Sequence, residues 1–375
     1  MLLSEARMAM SVRATPGDRR IRRLLAGGGA VLAISFFVPA GQLGFARSQQ
    51  ACSVRWRASP SPTIPNGSEL LGISTRTPND IWAVGSHFGK TLIEHWDGAR
   101  WQIVSSPSVG TDARLWAVAA TSASNAWAVG GNELPYQRIT LHWNGRRWSS
   151  FRILIPRGGF LSDVTADGAG GVWAVGDFTA RWNGTRWRVV RNARGGRSSG
   201  VAALGRSRAW AVGDGTFIQR WNGVRWRRVQ SPNVAYGDGA ENVLSAVDGF
   251  SPTDVWAVGR WEERQSMEGG PEGSLIEHWD GRAWRIVQSP PGAFDLNGIA
   301  AIAKDDVLAV GLRFQGQSAL PLIEHWDGRR WQVVRSPGTD GLNDVAAISR
   351  TNVWAVGGIG GGEGSRAFIL HYGCA

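Results

Sequence analysis

Asp80-Ile81-Trp82-Ala83-Val84-Gly85, followed ten residues on by His95-Trp96-Asp97-Gly98-Ala99-Arg100-Trp101, is one unit of a repeat. The string WAVG returns at Trp127, Trp173, Trp210, Trp256 and Trp354, with LAVG at Leu308. The seven starts are separated by 45, 46, 37, 46, 52 and 46 residues. A period near 45 is the size of a supersecondary unit that buries its apolar faces only by stacking on copies of itself.

Each unit reads as four short strands. The first is apolar, as in Leu70–Ser74 or Leu342–Ala346. Asp or Asn then precedes the WAVG strand at Asp80, Asn125, Asp254, Asp306 and Asn352, where a short side chain can close a turn on nearby backbone N–H groups. The third strand ends in His-Trp-Asp-Gly or a variant such as Arg181-Trp182-Asn183-Gly184. Asp-Gly and Asn-Gly between apolar runs are hairpin signals. The fourth strand opens on Trp, and no helical periodicity of useful length appears. The expected fold is all-β, a seven-bladed β-propeller with four antiparallel strands per blade.

The ends of the array predict how the ring closes. The seventh unit stops at His371-Tyr372-Gly373-Cys374-Ala375 without a fourth strand, and Arg55-Trp56-Arg57 with Ser59-Pro60 matches that missing strand. The N-terminal strand is therefore expected to complete blade 7 and remove an open sheet edge. Cys52 and Cys374 then meet in the hairpin position that other units fill with Asp-Gly or Asn-Gly, which predicts a disulfide. The propeller spans 52–375: blades 70–107, 115–155, 161–191, 198–231, 243–289, 296–336 and 342–374, with 52–62 closing the last.

Residues 1–46 read as an export signal. Arg7, Arg13, Arg19, Arg20, Arg22 and Arg23 precede an apolar run from Leu24 to Ala40. Cleavage fits after Ala46, with Ala40 and Ala51 as alternatives. The mature chain is expected to be secreted or extracytoplasmic, on the cell surface or in the periplasm. No later stretch is long and apolar enough to span a membrane.

The chain carries a net +11, and losing six Arg with Glu5 and Asp18 leaves +7. Of its 41 basic residues all but Lys90 and Lys304 are Arg. Read as spread over every repeat, they argue against nucleic acid as a partner. Two cysteines exclude disulfide-dense scaffolds, Cys-only zinc sites and iron–sulfur clusters.

The repeat resembles bacterial exported β-propellers built from D-x-W-A-V-G and H-W-D-G-x-x-W units. These are similar in turn to the Asp-box propellers of sialidases and of the photosystem II assembly-factor family. His95, Asp97, Gly98 and Trp101 occupy an Asp-box-like turn. The resemblance covers about 52–375 and implies that such turns are structural and lie away from any active site.

Function is expected where the repeat breaks. Five of six His hold one repeat position (His95, His142, His278, His325 and His371) and read as framework; His87 does not. Nineteen of 21 Trp are framework; Trp116 and Trp261 are not. Connections between strands two and three, and between blades, vary in length and emerge at one end, which is assigned as the binding face. The candidate ligand-binding residues are Trp261, Glu262, Glu263 and Arg264 in the insert 260–273, with Trp116, Tyr136, Tyr236, Asp238, His87 and Arg313. Asp163 and Asp344 are expected at the channel mouth. No catalytic triad, phosphate loop or metal motif stands out, so no catalytic residue, metal or cofactor is assigned. The reading is a monomeric, non-enzymatic binding module for a glycan, cell-wall polymer or protein. An extracellular carbohydrate-active hydrolase or lyase is the alternative, and a structural or assembly-factor scaffold the second.

Overall fold

The computed structural model describes residues 54–374 except 63–66, 109, 133–136, 155–158, 194–195, 236–239, 264–271, 293–294, 317 and 359–365. The expected export segment and Cys52 lie outside these residues. The described chain forms seven four-stranded antiparallel sheets. Blade 1 comprises Ser68–Thr77, Asp80–His87, Lys90–Trp96 and Trp101–Ile103. Blade 7 takes Leu342–Ser349, Asn352–Gly357 and Phe368–Gly373 from the C-terminus and Arg55–Ser59 from the N-terminus. The closing strand runs in register from Arg55↔Gly373 to Ser59↔Ile369. No blade is left with its outer edge incomplete.

The WAVG or LAVG segment is buried in every blade, which explains its continuous apolar reading, and only the extensions beyond it in blades 5 and 6 reach the surface. Its glycine has a steric cause. The first strand carries a β-bulge opposite it, at Leu70/Gly72 in blade 1 and Leu296/Gly298 in blade 6. At this point a carbonyl lies against the glycine, as it also does in blade 4, where the strands pair without a bulge. A Cβ on Gly85 would lie 2.0 Å from the Glu69 oxygen, and one on Gly311 1.8 Å from that of Asp295. The Asp-Gly turns also close as expected: Asp97 Oδ1 accepts the N–H groups of Ala99 and Arg100, both at 2.9 Å. Asn144, Asn183, Asn222, Asp280 and Asp327 do the same in their blades.

Blades are joined by indoles. The WAVG tryptophan of each blade packs against two tryptophans of the next, one preceding its turn and one following it. Trp82 meets Trp143 at 5.1 Å and Trp148 edge-on at 5.2 Å. Trp354 meets Trp96 and Trp101 across the seam between blades 7 and 1. The one break in the rule is compensated. Leu308 replaces Trp in blade 6, and it clusters with Trp56 and Tyr372 of blade 7.

Candidate functional site

The inner strands line a central cavity of about 460 Å³. Each inner strand has an edge facing the channel, where its N–H groups need acceptors. Side chains of the preceding blade supply several. Asp163 accepts Val201 N–H at 2.7 Å, Asp248 accepts Ala301 N–H at 2.9 Å, and Asp344 accepts Ile73 N–H at 2.9 Å. Ser74 accepts Ala120 N–H from blade 2. The other oxygen of each aspartate accepts an N–H of its own strand. Asp163 and Asp344, expected at the channel mouth, are thus committed to ties between blades in the channel wall, with Asp248 as a third. Burial raises all three: Asp163 and Asp344 to about 7 and Asp248 to about 6.

The repeat histidines sit where a framework role puts them. His95 Nε2 bonds Asp80 Oδ1 at 2.8 Å, and its ring lies 4.1 Å from that of Trp82. His278 and His325 repeat the bond with Asp254 and Asp306. His142 and His371 use Asn125 and Asn352. Burial holds His142 below the usual histidine range. One residue before His, three buried glutamates form a second set that the sequence reading missed. Ser61, Ser231 and Ser289, each in a Ser-Pro pair after the outer strand of one blade, donate to Glu94, Glu277 and Glu324 of the next. Burial lifts each glutamate to about 7, the serine hydrogen bond opposing it. The readable signal was Ser-Pro followed by Glu-His-Trp in the next unit.

The variable end carries most of the candidate residues. The insert expected at 260–273 and the connection around Arg313 are largely extensions of the second and third strands. Blade 5 continues to Glu263 and resumes at Glu272, and blade 6 continues to Gln315 and resumes at Ser318. Trp261 pairs with Asn242 and Gly273 and is half-buried against the blade 4–5 core. Beside it, Arg260 bonds Glu241 at 3.1 Å and lies 3.9 Å from Asp295. Burial raises Asp295; Arg260 opposes that, while Glu241 and Glu262 reinforce it. Glu262 and Glu263 end the strand, and Arg313 is exposed on the blade 6 hairpin. Trp116 is the bulge residue of its inner strand and stands edge-on to Phe160 at 5.6 Å. His87 ends the second strand of blade 1, its buried Nε2 without a hydrogen-bond partner, next to exposed Phe88. The structure therefore brings Trp261, Glu262 and Glu263 together and leaves His87, Trp116 and Arg313 on other blades. Tyr136, Tyr236, Asp238 and Arg264 fall outside the described residues.

The arginines are not evenly spread, contrary to the expectation above. Residues 178–237 hold twelve Arg against one acid, Asp214, a net of +11 equal to that of the entire chain. The segment makes up blade 3 from its third strand onward and blade 4. A charge tally taken unit by unit would have found it. Among the described residues no group of three His, Cys, Asp or Glu is disposed to hold a metal ion, and no helix is long and apolar enough to cross a membrane.

No protein-family model and no curated protein sequence matches the chain. Among solved structures it is similar to YCF48 bound to D1 peptide, with a TM-score of 0.60, 17% identity, and coverage of 85% of this chain and 97% of that one. It is similar to YCF48 from Cyanidioschyzon merolae, with a TM-score of 0.58, 20% identity, and coverage of 86% and 99%. It is also similar to the WD40 β-propeller domain of Doa1, with a TM-score of 0.60, 10% identity, and coverage of 85% and 97%. At these identities the likeness shows the fold.

Proposed function

We propose that the chain is an exported, monomeric, non-enzymatic binding module that takes a polypeptide ligand on its variable end. The observation that carries this reading is the raised rim of blades 5 and 6. There the extended hairpins set Trp261, Arg260, Glu241, Glu262 and Asp295 side by side. Mixed charge around a half-buried indole suits main-chain and side-chain recognition of a peptide. One flank of Trp261 is taken up by core contacts, which suits sugar stacking less well. The YCF48 structure with D1 peptide supports the choice of a polypeptide, since the same architecture accommodates one there. The enzyme reading is weaker because the three channel aspartates are spent on ties between blades.

The export reading rests on the N-terminal sequence, and with it goes the proposed Cys52–Cys374 disulfide. Its support is the closing strand, whose register starts at Arg55↔Gly373, close in sequence to the two cysteines. Cys374, directly after that position, is not a free thiol. The test of function is a peptide array and a glycan array probed with mature protein and with Arg260→Glu/Trp261→Ala. Peptide hits that the variant loses support the proposal. Glycan hits alone, or peptide hits that the variant keeps, overturn it.

A further inference from the structure

We propose that the outer surface of blades 3 and 4 is a second binding surface, for a base-free phosphodiester polymer such as a polyol-phosphate chain. The argument begins with what the repeat places there in other blades. In blade 1 an Asp80–His95 pair closes the second and third strands, and Asp97 in the turn takes Gln102 of the fourth strand. Blade 6 repeats both pairs, and blade 5 substitutes Arg285 on Asp280. Blade 4 puts Arg208, Arg220 and Arg227 at the Asp, His and Gln positions, and its turn residue is the neutral Asn222. Blade 3 puts Arg181 and Arg188 at the His and Gln positions, with Asn183 in its turn. The acids that neutralise these sites in blades 1, 5 and 6 are absent here; blades 2 and 7 also replace the framework Asp, but with Asn125 and Asn352 bonded to histidine, whereas in blades 3 and 4 arginines stand in the framework.

This arrangement costs stability. Arg181 lies directly opposite Arg188 across the ladder, and Arg220 opposite Arg227. Like charges so placed destabilise a sheet. Burial and the nearby Arg208 charge both lower the Arg220 guanidinium below its ordinary value. Arg181 has Asp167 and Arg197 has Asp177. Arg186, Arg188, Arg206, Arg208, Arg225 and Arg227 form no ion pair with a carboxylate among the described residues. All six are exposed. A cleft of about 640 Å³ runs between the two blades, bordered by Arg181, Arg188 and Arg206. A fold that keeps unneutralised, mutually repelling arginines is poised to receive negative charge from outside.

The residue type selects the anion. Guanidinium forks bond phosphate oxygens bidentately, and almost no lysine is used anywhere in the chain. The aromatics of these blades do not offer stacking platforms for bases: Trp210, Trp221 and Trp226 are buried, and Trp182 and Trp187 are half-buried in the contacts between blades. Phosphate contact without base stacking points away from single-stranded nucleic acid. The surface lies toward the turn end of the blades, opposite the rim of the previous section, so the two readings stand or fall separately.

The experiment titrates mature protein with fluorescent poly(glycerol phosphate) on the order of twelve units long, against oligothymidylate and poly-aspartate of matched charge, at two salt concentrations. Binding of poly(glycerol phosphate) in preference to both competitors is expected, weakening steeply with salt. Arg188→Glu/Arg227→Glu should lower that affinity at least about tenfold, and Arg329→Glu/Arg330→Glu on blade 6 should leave it nearly unchanged. The melting temperature of the blade 3–4 variant should hold or rise, since it removes repulsion. Three results overturn the proposal: no binding of the polyol phosphate at low salt, equal or tighter binding of either competitor, or equal losses from both variants.

Discussion

The carboxylate of Asp344 accepts the backbone N–H of Ile73 at 2.9 Å, joining the inner strand of blade 7 to that of blade 1 across 271 residues of sequence. The bond works together with the closing strand at the outer edge, so the seam is held at both its inner and outer margins. Both aspartate oxygens face N–H donors. Asp344→Asn turns an NH₂ toward one of them. It should destabilise the protein by about 1–3 kcal/mol, with Asp344→Ala at least as harmful. Denaturant melts of the two variants check this, and unchanged midpoints would contradict it.

The buried carboxyls set a direction for pH dependence. Asp163, Asp248 and Asp344 rise from 3.8 to about 7, 6 and 7, and Glu94, Glu277 and Glu324 rise from 4.5 to about 7. Between about pH 4 and pH 7 the folded state therefore binds more protons than the unfolded chain, and stability falls as pH rises through that window. Below it the hydrogen-bonded Asp80, whose range lies lower than usual, begins to lose its ion pairs. The melting temperature should peak near pH 4–5 and fall steadily towards pH 8. Glu94→Gln should flatten part of the slope. A melting temperature that rises from pH 5 to pH 8 would be inconsistent with these shifts.

The WAVG signature makes two demands that can be separated. Trp82→Ala removes a buried indole from a three-tryptophan contact between blades 1 and 2 and should cost about 3–5 kcal/mol. Gly311→Ala adds one methyl that would overlap the Asp295 carbonyl. It should destabilise by about 1–3 kcal/mol or more, although alanine is apolar and small. Calorimetry of the two variants checks both, and a neutral Gly311→Ala would show that the bulge has room.

Much of this was legible in the sequence because the repeat is strict. Trp, Gly and Asp-Gly at fixed offsets gave the strand count, the blade count and the closing strand. The irregular features were harder to read, because position in a repeat does not report a partner. Asp163 and Asp344 looked like channel-mouth residues; a β-bulge and the edge N–H of the next blade consumed them. Trp261 looked like a loop residue because the extension of its strand lacks WAVG-like markers. Glu94, Glu277 and Glu324 were missed because their serine partners belong to the preceding unit. The arginine surface is hidden in the net charge of the whole chain, because acids in the other blades offset the remaining arginines.

The two termini offer a test by redox chemistry. With Cys52 and Cys374 joined, reduction or Cys374→Ser should release a loop of more than 300 residues and cost about 5 kcal/mol. Peptide mapping without reductant should recover one linked pair containing both cysteines. Two alkylated free thiols in exported protein would rule the clasp out.

The central claim is that a polypeptide binds on the rim of blades 5 and 6. The most direct measurement is the affinity of the strongest peptide from the array for mature protein, for Arg260→Glu/Trp261→Ala and for Arg188→Glu/Arg227→Glu. The account predicts a loss of at least about tenfold, roughly 1.4 kcal/mol, in the rim variant and little change in the blade 3–4 variant. Equal affinity in the rim variant and the parent, with both folded by calorimetry, would contradict it.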